Sequence, residues 1–250
     1  MAESDLAAPA APSATSLDKS GRTIRDMFAG VAPRYDLLNH LLSGALDHVW
    51  RWRSARALGL GAGARVLDLC CGTGDQALAL NRRGPRVAAA DFCVPMLVRA
   101  RRKFETRRRR GGAGSAAMAA DALALPFPAA SFDGATVSFG LRNVADLDRA
   151  LTGMAAVLRP GGRLAVLEFA VPENRLVRAL YLAYFRHVLP VVGRLLSPRG
   201  SAYTYLPASV LEFPQRQGFV AALEAAGFEA AAWRDLTFGI VCLYTARRVS

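Results

Sequence analysis

Long apolar runs, signal-peptide features and metal-binding spacings are all missing from this chain of 250 residues. No stretch approaches the roughly 20 uninterrupted apolar residues that a membrane-spanning helix needs. The opening residues, MAESDLAAPAAPSATSLDKS, lack the basic and apolar regions of a signal peptide and are rich in Ala, Pro and Ser. They predict a disordered tail over residues 1–22, followed by one domain over residues 23–250.

Cysteine is scarce, and its spacing argues against a disulfide framework or a metal centre. None of the cysteines forms a C-x-x-C pattern, and none has a histidine partner at metal-ligand spacing. This arrangement is typical of buried, reduced thiols, so we expect a cytoplasmic protein with no metal site. The four cysteines are Cys70, Cys71, Cys93 and Cys242.

Acidic residues are few, and the resulting net charge predicts an anionic partner. The chain has 32 Lys and Arg against 20 Asp and Glu, a formal net charge of +12. Nucleic acid and an acidic membrane surface are both compatible with that charge. The densest basic run, residues 99–110, reads RARRKFETRRRR and has two interpretations: a solvated helix end, or a patch that contacts phosphate or lipid.

From residue 64 onward, strand and helix patterns alternate without an internal repeat. Apolar strands such as ARVLDLC and RLAVLEF are separated by helices such as VPMLVRARRKFETRR. This alternation predicts an α/β fold with parallel strands joined by right-handed crossovers. The last two strand candidates, FEAAAWRDL and IVCLYTARRV, predict an antiparallel C-terminal edge hairpin.

Two segments lie outside this alternation, residues 27–56 and residues 174–205. The first is helical and amphipathic, whereas the second begins as an apolar and aromatic stretch with interspersed arginines. Both segments could be ordinary packing helices. The other interpretation makes them lid elements over an apolar substrate.

A glycine-bearing turn follows the first strand, in the sequence VLDLCCGTGD at residues 66–75. Gly72 and Gly74 would let the backbone approach a ligand, and Thr73 offers a hydroxyl group. The spacing also fits a dinucleotide fingerprint, but that loop holds a pyrophosphate, and Asp68 and Asp75 would place anions beside an anion. Carboxylates suit a cation, so the turn favours S-adenosylmethionine (SAM), which has a sulfonium, an ammonium and no phosphate.

Polar residues stand at the carboxyl ends of the next strands, where open α/β sheets bind their ligands. Asp91 could accept both ribose hydroxyls of the cofactor. Asp121, with Ala122, could accept from the adenine amino group, or it could cap a turn.

The run SFGLRNV ends the fourth strand. Ser138 would face the cofactor, while Arg142 and Asn143 would project toward the methyl acceptor. A surface salt bridge is the other interpretation of Arg142. The absence of an N-P-P-Y tetrad, and of a cysteine nucleophile in this strand, argues against nucleic acid as the acceptor.

Seven segments of the chain occur in an order that matches one known family. They are VAPRYDLLNHLLSGALDHVWR, VLDLCCGTGD, DALALPFPAASFD, SFGLRNV, LRPGGRLAVLEF, FRHVLP and AYTYLPASV. From about residue 23 to residue 249, the chain resembles the bacterial demethylmenaquinone methyltransferases, a family that includes the C-methyltransferases of the ubiquinone pathway.

The resemblance implies a Rossmann-like, seven-stranded SAM-dependent methyltransferase sheet with helical lid segments. It implies methyl transfer to a ring carbon of a polyprenyl hydroquinol, with demethylmenaquinol favoured and the benzoquinol intermediate of ubiquinone, or another lipophilic phenol, as alternatives. Thr73, Asp91, Asp121, Ala122 and Ser138 match cofactor-binding positions, and Tyr35, Asp36, Arg142 and Asn143 match motifs that line the quinol pocket.

These residues suggest a division of roles in catalysis. Arg142 would stabilise the phenolate, because its guanidinium is too basic to act as an ordinary base. Asn143 and Tyr35 would hold the ring oxygens, and Asp36 would orient Arg142 or receive the proton.

The expected partners follow from the substrate and the charge. The isoprenoid tail calls for an apolar groove, and the nearby arginines suggest peripheral contact with an anionic membrane at its inner face. A second copy of the chain is a further candidate partner, and nucleic acid is not expected.

Overall fold

A computed structural model describes residues 17–111, 114–188, 191 and 201–250 of the chain. Most of the expected tail and the middle of segment 174–205 lie outside these residues. The tail boundary at residue 22 is too late, because the first helix already begins at Gly21. Ser20 caps this helix through its side chain, and Ile24 in its second turn is buried in the fold.

Seven strands form one sheet in the order β3-β2-β1-β4-β5-β7-β6. Neighbours among β1 to β5 run parallel, and β7 pairs antiparallel with both β5 and β6. The predicted α/β sheet and antiparallel hairpin are therefore confirmed, and within the hairpin β7 lies next to β5 while β6 is the edge strand. The strands are β1 Arg65–Leu69, β2 Arg86–Asp91, β3 Ser115–Ala119, β4 Phe132–Ser138, β5 Leu158–Phe169, β6 Phe228–Leu236 and β7 Val241–Arg248.

Helices cover both faces of the sheet and one of its ends. Those described are α1 Gly21–Val31, α2 Tyr35–Leu42, α3 Leu46–Leu58, α4 Asp75–Asn81, α5 Val94–Arg109, α6 Leu147–Val157, α7 Arg175–Ala183, α8 Ser201–Glu212 and α9 Gln217–Ala225. A π-helical turn, Tyr184–Val188, extends α7, and short 3-10 turns occupy Ala32–Arg34, Leu141–Asn143 and Thr237–Gly239. In the described part of the chain, no helix is long and apolar enough to cross a membrane.

Strand β1 shows how the sheet is buried on both faces. Leu67 and Leu69 belong to one hydrophobic core, and Val66 belongs to the other. Side chains alternate between the faces of a strand, and a strand covered on both sides is apolar at nearly every position. This double burial leaves the strand ends as the places where polar side chains can meet a ligand.

Segment 27–56 is divided into three helices, and one of them packs on the second unusual segment instead of on the sheet. Leu38 of α2 lies in a small hydrophobic cluster with Tyr181, Phe185 and Val210. The Tyr184 hydroxyl donates a hydrogen bond to the Leu42 carbonyl at 3.2 Å. These contacts form a helical layer above the carboxyl ends of the strands.

Gly74 offers a test of the packing behind the turn after β1. Its φ is +88°, and a Cβ there would lie 2.7 Å from two ring atoms of the buried Phe104. Gly161, with φ of +69° and no atom within 4 Å of such a Cβ, is a matched control for backbone strain alone. We expect Gly74→Ala to lower the free energy of unfolding by about 2 kcal/mol more than Gly161→Ala, measured by urea unfolding. Equal losses would show that Phe104 moves aside freely.

Candidate active site

Two adjoining cavities lie where the helical layer meets the carboxyl ends of β1 to β4. The smaller has a volume of about 170 Å³ and lies over those strand ends. The larger, about 670 Å³, lies between the strand ends and the helices α1, α2, α3 and α7. Four residues line both cavities, namely Phe28, Tyr35, Phe139 and Asn143. The two cavities therefore adjoin at these four residues, which we call the shared wall.

Asp91 at the end of β2 lines the small cavity. One carboxylate oxygen accepts from the Gly72 amide and the other from the Cys93 amide, each at 2.8 Å. Burial raises the pKa of Asp91, and these backbone hydrogen bonds oppose that rise. A carboxylate oxygen accepts more than one hydrogen bond, so Asp91 retains capacity for ligand hydroxyls.

Asp121 caps a turn and also lines the small cavity. Its Oδ1 accepts a hydrogen bond from the Leu123 amide at 2.9 Å, which is a turn cap. It also lines the small cavity together with Ala122. The cap therefore orients the carboxylate at the cavity wall.

Ser138 at the end of β4 also lines the small cavity. Its Oγ is buried and has no hydrogen-bond partner among the described residues. A buried hydroxyl without a partner costs free energy unless a ligand or water satisfies it. Ser138 thus marks a position for a polar ligand atom.

Strained backbone surrounds this position. Cys70 and Phe139, which directly follow β1 and β4, have φ of +53° and +64°. The chains approach so closely that a Cβ on Gly140 would lie 2.4 Å from the Cys70 Cβ. Strain in residues other than glycine concentrates at functional sites. Burial raises the pKa of the Cys70 thiol well above its ordinary value, which leaves the thiol protonated and inert.

Asp68 does not lie where the sequence argument placed it. It is fully buried in β1, does not line the small cavity, and accepts a hydrogen bond from the Thr136 hydroxyl at 3.0 Å. Burial raises the pKa of Asp68 to about 7, so the carboxyl group is only partly ionised at neutral pH. The carboxylates that could face a cationic ligand are therefore Asp91 and Asp121, which line the small cavity, and not Asp68.

Asp36 and Thr73 also differ from their predicted places. The Thr73 hydroxyl donates to Asp36 at 2.5 Å, and neither residue lines the small or the large cavity. Lys103 lies between Asp36 and Asp75, with Nζ to oxygen distances of 2.9 and 2.5 Å. The prediction that Asp36 orients Arg142 is therefore wrong, because Asp36 instead ties α2 to the turn that carries Thr73. Gly74 lies behind the same turn, against Phe104.

Glu168 at the end of β5 is the partner of Arg142, and the sequence analysis missed it. Its carboxylate accepts from Arg142 Nη1 at 2.9 Å and from the Arg142 amide at 3.3 Å. Both side chains are buried, so the expected alternative of a surface salt bridge is also wrong. Burial raises the pKa of Glu168, and the charge of Arg142 opposes this. The strand-end rule that identified Asp91 would also have selected Glu168 in RLAVLEF.

The large cavity is lined mainly by apolar and aromatic side chains, with a few polar groups. Arg142, Asn143 and Tyr35 line it, and so do Asp47 and Arg51, which the sequence analysis did not select. Five buried polar atoms around this cavity have no hydrogen-bond partner within the described residues. They are Arg51 Nε, Arg142 Nε, Asn143 Oδ1, Tyr181 Oη and Tyr205 Oη.

The strand order, with β7 antiparallel between β5 and β6, defines the class of fold, a Rossmann-like seven-stranded α/β sheet. Among solved structures with this fold, the cyclase SpnF is 20% identical with a TM-score of 0.66, covering 90% of this chain and 95% of SpnF. A SAM-dependent methyltransferase from Thermotoga maritima is 18% identical with a TM-score of 0.59, covering 89% of this chain and 99% of that chain. At these identities the likeness concerns the fold alone.

Sequence relatives identify the family. The chain belongs to the ubiE/COQ5 methyltransferase family, whose sequence model matches residues 16–248. The demethylmenaquinone methyltransferase of Thermus thermophilus is 47% identical over 224 residues, which are 89% of this chain and 100% of that protein. The ubiquinone/menaquinone biosynthesis C-methyltransferase UbiE of Geobacter sulfurreducens is 44% identical over 236 residues, 93% of this chain and 91% of that protein. The family expected from the sequence motifs is confirmed.

Replacing Asp68 tests its raised pKa. The pKa of this carboxyl is about 7 in the folded protein against an ordinary 3.8, so the folded state binds more protons than the unfolded state between these values. The free energy of unfolding should therefore fall as pH rises from about 4 to 7. Asp68→Asn mimics the protonated carboxyl, and we expect its advantage over the wild type to grow by about 4 kcal/mol across that window.

Urea unfolding of the unliganded proteins at several pH values measures this difference. Asp148→Asn, on the exposed first turn of α6, is the surface control. A difference that stays constant from pH 4 to 7 would show that Asp68 is charged throughout that range in the folded protein.

Proposed function

We propose that this chain transfers a methyl group from SAM to a ring carbon of a polyprenyl hydroquinol, converting demethylmenaquinol into menaquinol. The observation that carries the proposal is the shared wall between a small cavity with polar strand ends and a large, mainly apolar cavity. Unpartnered polar atoms around the large cavity offer hydrogen bonds to ring oxygens. The printed names of the Thermus and Geobacter relatives support a quinone substrate.

The small cavity fits SAM on the chemistry of its walls. Asp91 would accept the ribose hydroxyls, Asp121 with Ala122 would hold the adenine, and Ser138 Oγ is a buried polar atom that needs a ligand partner. Gly72 lines the same cavity, and because it has no side chain a ligand can approach its backbone closely. SAM, when bound there, supplies an electrophilic methyl group on a sulfonium.

Arg142 and its neighbours would prepare the ring carbon for attack. A hydroquinol carbon becomes strongly nucleophilic only when an adjacent hydroxyl loses its proton. The Arg142 guanidinium would stabilise the resulting oxyanion, and Glu168 holds that guanidinium in place. Asn143 and Tyr35, which line both cavities, would hold the ring oxygens at the shared wall. Alignment of the reacting atoms would then supply much of the rate.

The direct test incubates the purified protein with SAM and reduced demethylmenaquinone and follows the quinone mass. A gain of one methyl group on the naphthoquinol ring supports the proposal. Methylation of the ubiquinone-pathway benzoquinol alone would overturn the choice of substrate, and methylation of neither would overturn the proposal as a whole.

Arg142→Ala is expected to lower kcat by about a hundredfold or more while lowering SAM affinity far less. The physical reason is that Arg142 lines only the large cavity, where the oxyanion develops. Calorimetric titration with SAM measures the affinity, and the methyl-transfer assay measures the rate. Arg159→Ala, which removes an exposed arginine, serves as the control. Equal losses of rate and of SAM affinity would reject this role.

A membrane surface would deliver the tailed substrate to the mouth of the large cavity. Leu37, Leu41, Leu176 and Leu180 are between 61% and 71% exposed on α2 and α7, whose inner faces line that cavity. Phe238, 81% exposed and with φ of +58°, lies at the same cavity on the turn between β6 and β7. We call these five residues the rim. Exposed apolar side chains beside a mainly apolar cavity fit an interface with lipid.

Vesicle flotation tests the rim. We expect the wild type to float with vesicles that contain anionic lipid. The double variant Leu37→Ser, Leu176→Ser should bind at least tenfold more weakly, because it loses two exposed leucine side chains that would enter the lipid. Val98→Ser on α5 removes an exposed valine away from the rim and is the matched control. Equal flotation of all three proteins, or none by the wild type, would leave α2 and α7 as packing helices. Light scattering of the same preparations tests a homodimer.

A further inference from the structure

A buried arginine that the proposed methyl transfer does not use, Arg51, lines the large cavity. It lies in α3 on the inward stripe of the helix, together with Trp50, Ser54 and Leu58. Small or apolar side chains normally occupy such a stripe, because a charge there is removed from water. Arg51 is only 8% exposed, whereas Arg53 on the outer face of the same helix is exposed. A guanidinium at the position of Arg51 therefore needs an anionic partner.

The protein itself compensates the charge of Arg51 only in part. Among the described residues, the guanidinium donates no hydrogen bond, and its buried Nε lies 3.7 Å from Asp47 Oδ2. That distance is too long for a hydrogen bond. Asp47 is, moreover, already hydrogen-bonded to His40 and Ser43. The described walls of the cavity thus leave the hydrogen-bond donors of Arg51 available to a ligand.

The other arginine of this cavity, Arg142, is satisfied by Glu168 and by the Phe139 carbonyl. Arg51 contacts the same Phe139 in a different way, because its guanidinium carbon lies 5.4 Å from the centre of the aromatic ring. Phe139 belongs to the shared wall. The stacking therefore holds the guanidinium of Arg51 at the boundary between the two cavities.

The charge of Arg51 also acts on groups at the end of β1 and in the shared wall. Burial raises the pKa of Asp68, near the end of β1, and the pKa of Tyr35, and the charge of Arg51 opposes the rise in both. A charge has such an effect only at short range. Arg51 is therefore close to the strand end where the proposed cofactor would bind.

SAM is larger than the small cavity. It joins an adenosine to a methionine, and pockets for ligands of this size have volumes of roughly 300–1,000 Å³. The small cavity has a volume of about 170 Å³. If Asp91 and Asp121 take the adenosine, the methionine end extends past the shared wall toward the large cavity. At neutral pH that end carries an ammonium and a carboxylate, and the carboxylate is the only anionic group of SAM.

We propose that Arg51 binds the carboxylate of SAM and thereby holds the methionine end of the cofactor at the shared wall. The inference rests on the proposed function. A guanidinium can donate two parallel hydrogen bonds to a carboxylate, and such a charged pair is stronger than a neutral hydrogen bond. Methyl transfer leaves the carboxylate unchanged, so Arg51 acts in cofactor binding and takes no part in the chemical step.

Decarboxylated SAM tests this contact in the wild-type protein, because it keeps the adenosine, the sulfonium and the ammonium and lacks only the carboxylate. We expect the wild type to bind SAM at least about tenfold more tightly than decarboxylated SAM, measured by calorimetric titration. Equal affinities would overturn this inference alone. Binding of neither compound would overturn the proposed function, and this inference with it.

Arg51→Gln removes the charge and keeps most of the length of the side chain. We expect its SAM affinity to fall at least about tenfold while its affinity for decarboxylated SAM stays nearly unchanged, so that the preference for SAM disappears. Arg53→Gln, on the outer face of α3, is the matched control and should keep the wild-type preference. A preference that survives in Arg51→Gln would assign the carboxylate to another group and overturn the proposal.

Arg51→Lys is the second variant, and it keeps the test decisive if Arg51→Gln fails to fold. Lysine keeps the charge but lacks the planar fork of the guanidinium, so we expect a preference for SAM that is weaker than in the wild type. In the methyl-transfer assay, both variants should raise the KM for SAM more than they lower kcat. A fall in kcat with unchanged SAM affinity would assign Arg51 to the oxyanion of the methyl acceptor and overturn the proposal.

Discussion

The buried ion pair between Arg142 and Glu168 is the interaction on which the site depends. It joins the turn after β4 to the end of β5, and Arg142 also binds the Phe139 carbonyl through the same Nη1. Phe139 and Asn143, on that turn, are part of the wall between the two cavities. Removing one partner would leave an uncompensated charge at a cost of about 3–5 kcal/mol. The wall between donor and acceptor is therefore held by electrostatics inside a hydrophobic fold.

A second set of charges holds the helical layer in place. Lys103 of α5 bridges Asp36 on α2 and Asp75 on α4, and Asp36 also accepts from Thr73. These contacts position the neighbouring residue Tyr35 at the shared wall, where it lines both cavities. On the other side, α2 packs on the apolar cluster around Tyr181 and Phe185. Polar contacts fix one edge of the layer, and hydrophobic burial fixes the other.

Strand-end reasoning succeeded where a side chain is placed by its own strand. Asp91 and Ser138 line the small cavity because parallel strands end at a common edge. It failed for Asp68, which lies one residue before the end of β1 and is fully buried. Arg51 and Glu168 were overlooked because their importance depends on the residues they meet across the fold. Phe139 and Arg142 provide those contacts.

The amino-acid sequence by itself determined the alternating strands and helices, the glycine turn and the family, because these follow from local patterns of hydrophobicity, backbone freedom and ordered motifs. Only the tertiary structure decided which carboxylates face a cavity and which hold a helix against the rest of the fold through polar contacts. Asp36, Asp47 and Asp68 are the same residue type, yet one binds Lys103, one faces the large cavity and one is buried in the sheet. Burial and charge partners come from segments far apart in the chain, so no local pattern specifies them.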